Sequence, residues 1–466
     1  MGHDRMQQLR SGAPMEGRDL LSLTVRLSIP AIVGQISTVA MEFIDASMVG
    51  HLGANPAAAI GLVASSAWLL GGLCIAVCTG FNVQIAHAIG AGREEKARSI
   101  VRQGLVTSLL FSAVLLLAGC AISGALPRWL GGDAAIRADA SRYFLISALF
   151  LPMMHLRFLA GGMIQCSGNM RLPGILQALM CLLDVAFNAL LIFPARTVAV
   201  WGIRLTVPGA GLGVTGAALG TGLSELAGAG ALLYWLLCRS PSLHLRREER
   251  LRWSRDTLAA ALRIGLPVGF EQIIMSAAQV VSTRIVSPLG VAAIAAHSFS
   301  VSVESLCYMP GYGISSAATT LIGQSIGARR QDVTRTLSWL TTGTGMAVMT
   351  CTGILMYCFA PQLMGLLTPD QEIRALGTAV LRIEAFAEPL FAASIVGSGV
   401  LRGAGDTLLP SAMSFASMWL IRLPLAALLS RQMGLQGVWL AMCIELCVRG
   451  LLFLLRIARK RWETLT

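Results

Sequence analysis

The chain has 466 residues, 55% of them hydrophobic and only 13% charged, with a formal net charge of +12. A mean hydropathy of +0.69 excludes an ordinary soluble enzyme or nucleic-acid-binding domain and places the chain among integral membrane proteins. The positive balance is almost all arginine and gathers in short loops between apolar runs, so it reads as topology information and not as a surface for polyanions.

The segment up to Arg18 is polar and has no apolar run ahead of a cleavage site, so no removable signal peptide is expected. Twelve apolar runs of membrane-crossing length follow, at 22–50, 57–83, 99–124, 139–165, 172–194, 210–238, 256–286, 292–320, 335–360, 374–402, 409–430 and 434–458. Backbone amides cannot stay unpaired in lipid, and the runs are too long and too uniformly apolar for barrel strands, so they are expected as helices. The predicted fold is all-α and integral to the membrane, with twelve transmembrane helices in two six-helix lobes. A tail (1–21) leads into the first lobe (22–238), a polar linker (239–255) joins it to the second (256–458), and a tail (459–466) ends the chain.

Arg93, Lys96, Arg98, Arg239, Arg246, Arg247, Arg250, Arg252, Arg255, Arg329 and Arg330 fall in loops on one side of these spans, with Arg456, Arg459, Lys460 and Arg461 of the tail. The other side holds far fewer, chiefly Arg128, Arg137, Arg196, Arg204 and Arg431. That bias predicts both termini in the cytoplasm of a bacterial inner-membrane protein. The halves also repeat. An offset of 237 relates Pro30 to Pro267, Gln35 to Gln272, Leu52-Gly53 to Leu289-Gly290, Ile89-Gly90 to Ile326-Gly327, and Pro173 to Pro410. It changes to 221 between GLGVTG at 211–216 and MGLQG at 433–437, which leaves an extra loop of about 16 residues near 195–210 in the first half. Six spans per repeat give both halves the same orientation, the architecture of a two-lobed transporter with alternating access.

Asp45 lies inside the first span with Glu42 close by and no basic residue in the same run. An ionisable group at membrane depth is expensive to hold and marks a functional candidate. In the fifth span Asp184 and Asn188 are four residues apart, on one helix face. The chain contains only four asparagines, and the repeat mates Ser282, Ile421 and Leu425 carry no such chemistry. Two carboxylates in one low-dielectric pocket cannot both stay charged without a proton or a cation between them. Their oxygens, with the amide and the Thr221 hydroxyl, also suit a hard cation such as Na⁺. The alternative is a structural Asp–Asn hydrogen-bond network. The second lobe carries Glu271, Glu304, Glu384, Glu388 and Glu445 alongside Arg284, Arg402, Arg422 and Arg449. Helix-tying ion pairs are the expectation there, with Glu271 the best candidate for a second proton site.

Other motifs fail on context. GLGVTG opens an apolar helix and not a βαβ unit, so Gly216 and Gly220 read as helix packing rather than as a dinucleotide site. Cys74/Cys78 and Cys443/Cys447 have helical spacing, and His51 and His297 stand without metal-ligand companions. No HExxH or Walker loop is present, so neither an enzyme nor direct ATP drive is expected.

Taken together, Pro30…Asp45…Gly50-x-Leu52-Gly53, the Ile-Gly-Ala pieces at 89–91 and 326–328, GNMRLP at 168–173, RGAGDTLLP at 402–410 and the sixth-span GVTGAALGT resemble the multidrug and toxic compound extrusion (MATE) family over essentially the whole chain. Glu388-Pro389 and Arg422-Leu423-Pro424 look most like its DinF-like branch. The resemblance implies a cation-coupled antiporter that expels amphipathic, often cationic, organic compounds in exchange for H⁺ or Na⁺, with no resident cofactor. It carries the family's first-span Asp onto Asp45, its fifth-span Asp and Asn onto Asp184 and Asn188 in exchanged order, its sixth-span Thr onto Thr221, and its fourth-span Tyr onto Tyr143. Glu42, Gln35 and Glu271 are supporting candidates. The acids of the NorM-like second lobe are here Met275 and Phe391. The expected partners are small organic cations and the bilayer, for a monomer that binds no nucleic acid. A lipid-linked-precursor flippase of the same superfamily is the alternative.

Overall fold

The computed structural model describes residues 2–200, 203–246, 249 and 253–459. The expected loop or tail cations Arg247, Arg250, Arg252, Lys460 and Arg461 lie outside them. The first lobe comprises α2 (Gly17–Gly50), α3 (Ala54–Gly90), α4 (Glu94–Ile122), the short α5 (Leu126–Trp129), α6 (Ala134–Cys166), α7 (Arg171–Leu191) and α8 (Val214–Tyr234), preceded by α1 (Gly2–Ser11). The second comprises α9 (Arg255–Val286), α10 (Val291–Gly327), α11 (Gln331–Leu367), α12 (Gln371–Glu384), α13 (Glu388–Gly403), α14 (Leu408–Ala416), α15 (Leu423–Met433) and α16 (Leu435–Ala458). A π-helical turn, Ser417–Arg422, joins α14 to α15.

Among the described residues, eleven helices are long and apolar enough to cross a membrane. The predicted tenth span, 374–402, is instead the pair α12 and α13, broken between Glu384 and Glu388. Pro389 in the first turn of α13 has no N–H to donate back, which favours a helix start there over a continuation. The extra stretch near 195–210 is not an irregular loop. It forms an antiparallel hairpin of β1 (Pro194–Val200) and β2 (Ile203–Ala210), pairing Val200 with Ile203 and Thr197 with Thr206. Its alternating β-branched residues suit a strand better than a helix.

Several glycines that repeat between the halves adopt left-handed backbone at helix junctions, as in Gly53/Gly290, Gly168/Gly405 and Gly213/Gly434. A side chain would strain those turns. Gln103 and Ser254 join the linker end to α4, and Glu249 of the linker accepts from Arg98 Nε and Arg102 Nη2, each at 2.8 Å.

The lobes meet toward the end that holds the N-terminus. The first half of α2 packs on the second lobe: Leu20, Leu23, Leu27 and Ala31 share one cluster with Ile314, Leu321, Val333 and Leu337. In return, Ala261 of α9 joins the first-lobe cluster of Phe81, Ile85 and Met163. Small residues permit the crossings. A Cβ on Gly80 would overlap the Ala261 carbonyl, one on Gly90 the Gln324 carbonyl, and one on Gly327 the His87 carbonyl. Toward the other end, a Cβ on Gly50, Gly53, Gly61 or Gly290 would meet open space. The close lobe-to-lobe crossings at Gly80, Gly90 and Gly327 thus lie toward the N-terminal end.

Gly80→Ala should therefore lower stability by about 1–3 kcal/mol through overpacking, whereas Gly61→Ala on the same helix should not. Heat denaturation of the two purified variants in detergent checks this, because the gain in helix propensity is common to both.

Candidate functional site

α2 and α7 run side by side and bring Asp45, Asp184 and Asn188 together. The Asn188 amide nitrogen donates one hydrogen to Asp45 Oδ1 at 2.8 Å and the other to Asp184 Oδ2 at 2.9 Å. On α8, the Ser224 hydroxyl lies 3.0 Å from Asp184 Oδ1 and 2.8 Å from the Thr221 carbonyl. Asp184 is fully buried and Asn188 is 1% exposed, while Asp45 is only half-buried. The cluster therefore has an inner carboxylate sealed from solvent and an outer one within its reach. Gly220 makes room for it, since a Cβ there would overlap Asn188 Oδ1. Asn188 Oδ1 itself is buried without a hydrogen-bond partner.

Among the described residues no arginine or lysine pairs with either aspartate. The nearby Arg157 is committed elsewhere: its Nε donates to Glu225 and its Nη1 to Gln177 Oε1 at 2.9 Å. Charge on both aspartates is thus opposed only by neutral donors, three hydrogens in all, two from Asn188 and one from Ser224. Neutral hydrogen bonds at low dielectric do not replace a counter-ion for two adjacent anions.

The remaining expected residues surround this core unequally. The Thr221 hydroxyl makes no hydrogen bond to the cluster among the described residues; Ser224, not singled out from the sequence, supplies the hydroxyl. Its position three residues after Thr221, on the same helix face, was the available signal. Tyr143 on α6 packs against Val49 and Ile192, one turn beyond Asp45 and Asn188. Glu42 is exposed and within electrostatic range of Asp45 and of Tyr308 on α10 in the opposite lobe. Gln35 is half-buried farther back on α2 and outside the cluster.

In the second lobe the ion-pair expectation holds only in part. Glu271 accepts from Ser411 Oγ at 2.9 Å and pairs with Arg402 at 3.7 Å, which already satisfies this candidate proton site. Glu445 accepts from Ser417 at 2.7 Å and pairs with Arg449 at 3.2 Å. Glu304, Glu384 and Glu388 are buried with no salt bridge among the described residues, and the oxygens of Glu384 and Glu388 lack any hydrogen-bond partner. The helix break turns Glu384 and Glu388 inward, while Arg422 is turned to Met442 Sδ and Arg284 is exposed.

The MatE family model matches residues 30–190 and 267–428, one copy in each half. The chain belongs to the MATE family of transporters. A "Probable multidrug resistance protein NorM" of Thermotoga maritima is 27% identical over 444 residues, covering 94% of this chain and 92% of that protein. "Multidrug resistance protein MdtK" of Edwardsiella ictaluri is 28% identical over 480 residues, covering 96% and 95%. A solved structure described as the outward-facing conformation of a multidrug resistance MATE family transporter of the MOP superfamily superposes with a TM-score of 0.87 at 21% identity, covering 98% of both chains. This MATE chain is accordingly a multi-pass membrane transporter.

Ser224→Ala removes the only donor to Asp184 Oδ1 among the described residues and should cost about 1–3 kcal/mol of stability, with Ser224→Thr largely restoring it. Thermal melts of the detergent-solubilised variants give the comparison.

Proposed function

We propose that this MATE transporter is a secondary antiporter. It expels amphipathic, mostly cationic organic compounds in exchange for protons by alternating access of its two lobes. It works as a monomer in the bacterial inner membrane, with both termini cytoplasmic and no resident cofactor. One observation carries this reading: a half-buried and a buried carboxylate share one amide and have no basic partner among the described residues. Whatever enters the cluster to relieve that imbalance must be positive, and a small cation or proton qualifies.

The exchange then follows from the geometry. Asp45, half-buried, takes up a proton from the side opposite the N-terminal end and can relay it inward past Asn188 to Asp184. A protonated Asp184 becomes a donor. Ser224 adapts without moving, since its oxygen then accepts from Asp184 while its hydrogen turns to the Thr221 carbonyl. Once the proton has arrived, the cluster carries one negative charge fewer, and a cationic compound held near Asp45 and Glu42 is attracted less and released. The coupling ion shifts the conformational equilibrium only as far as its affinity differs between the two states.

Sodium is the second reading, with Asp45, Asp184, Asn188 and Thr221 as ligands. The position of the Asn188 N–H groups between the carboxylates favours the proton, because Na⁺ there would require the amide to present its oxygen instead. A lipid-linked-precursor flippase is less well supported, since the first lobe presents an acidic cluster and both curated relatives carry multidrug resistance names.

Asp45→Asn and Asp184→Asn should each abolish drug resistance and ion-driven efflux, while the proteins stay folded and inserted. The decisive measurement is efflux of an organic cation from proteoliposomes with ΔpH and ΔNa⁺ imposed separately. Wild-type efflux by either variant would remove that residue from the mechanism, and drive by ΔNa⁺ alone would replace the proton with sodium.

A further inference from the structure

α1 lies across the seam where the two lobes meet. Met6 and Leu9 are 5% and 0% exposed. They belong to a cluster that includes Leu20 and Leu23 of α2, Met170 of the first lobe, and Leu321 and Val333 of the second. Arg10 reaches from α1 to both lobes at once. Its Nε donates to Gln324 Oε1 at 3.0 Å and its Nη2 to the Ser167 carbonyl at 2.9 Å. Just beyond the helix, Arg330 Nη1 of the second lobe donates to the Ala13 carbonyl at 2.6 Å.

The seam itself is built on exposed helix-end carbonyls. α6 stops at Cys166, and the last carbonyls of a helix have no partners within it. Here the second lobe and α1 supply donors: Thr320 Oγ1 to Gln165 at 3.3 Å, Gln324 Nε2 to Cys166 at 2.7 Å, and Arg10 to Ser167. The arrangement is pseudo-symmetric. His87 Nε2 meets the Gly403 carbonyl at 2.8 Å, and positions 87 and 166 map onto 324 and 403 by the 237-residue offset of the repeat. Arg10 is an addition to that symmetric pair. It binds Gln324, one of the two seam residues, and adds a cation at the C-terminal end of α6, where the helix dipole favours positive charge.

We propose that α1 is a strap that holds the lobes together at the N-terminal end and must be released before this end can open. The proposal rests on alternating access between two lobes, and on neither the coupling ion nor the compound carried. Lobe separation at this end strips Gln324 and Arg10 from the α6 carbonyls, so the strap sets how often the closed seam opens.

Hydrogen–deuterium exchange on the full-length protein in lipid nanodiscs tests this. The proteins compared are wild type, Arg10→Ala, a deletion of residues 2–12, and Gln7→Ala on the exposed face of α1. Arg10→Ala should raise exchange in 163–170 and 320–330 about tenfold, the order expected for losing charged hydrogen bonds. The deletion should raise it at least as much, with Gln7→Ala matching wild type and 186–193 showing no increase. Unchanged seam exchange in both Arg10→Ala and the deletion would overturn the strap. So would an equal rise throughout the chain, which would make α1 a general stabiliser. Seam exchange reports on the strap even if no efflux is driven, so failure of the antiporter reading and failure of the strap give different results.

Discussion

The site depends on one side-chain amide shared by two carboxylates from different helices. Asn188 spends both of its N–H hydrogens on Asp45 and Asp184, and among the described residues only Ser224 adds a third donor. In water such an arrangement would be unremarkable. In a bundle crossing a bilayer, two adjacent charges without a counter-ion are not tolerated at rest. The Arg157 guanidinium on α6 is already bound to Glu225 and Gln177, so it cannot serve as a permanent partner. Both carboxylates could be charged together only with something positive beside them, and the pocket that would hold it is walled by the packing of α2, α7 and α8.

The two lobes descend from one pattern but use it differently. Their contacts keep the repeat: His87 and Gln324 each bond the helix-end carbonyl of the opposite lobe, and Gly90 and Gly327 each admit the other strand of the crossing. Their interiors do not. Where the first lobe has Asp45, Asp184 and Asn188, the second has Ser282, Ile421 and Leu425. Its acids sit elsewhere, two in ion pairs and three (Glu304, Glu384 and Glu388) around the break between α12 and α13. Those three make no salt bridge among the described residues, so symmetry of the frame coexists with asymmetry of the electrostatics.

How much of this the sequence discloses follows from the range of each interaction. Apolar runs, arginine placement and a constant offset are patterns in one dimension, and they yield the helices, the lobes and the pairing of Asp184 with Asn188 on one face. The meeting of Asp45 with Asn188, 143 residues apart, is suggested only by the cost of each group in lipid. Ser224 is indistinguishable by composition from other helix hydroxyls, and only the neighbouring Asp184 makes it matter. The hairpin at Pro194–Ala210 reads as a loop because the surrounding apolar spans dominate the pattern, although its Thr and Val alternation was present. The seam is hidden for another reason: His87 and Gln324 are repeat mates of different residue type, so matching identical residues passes over them.

α2 connects the closed seam to the charged cluster. Its first half packs on the second lobe through Leu20, Leu23 and Leu27. At Pro30 it loses one backbone N–H and meets Gly174 of α7, where a Cβ would overlap the Pro30 carbonyl; a Cβ on Gly34 would sit 3.4 Å from the Gly174 Cα. Asp45 follows fifteen residues later, about 22 Å along the helix. α2 and α7 are therefore pinned twice, by a steric crossing at Pro30 and Gly174 and by hydrogen bonds at Asn188. Only the second pin responds to a proton, because the crossing contains no ionisable group. A charge change at Asp45 consequently acts at the far end of a long arm whose near end leans on the opposite lobe, a geometry in which a local electrostatic event bears on the lobe-to-lobe contact.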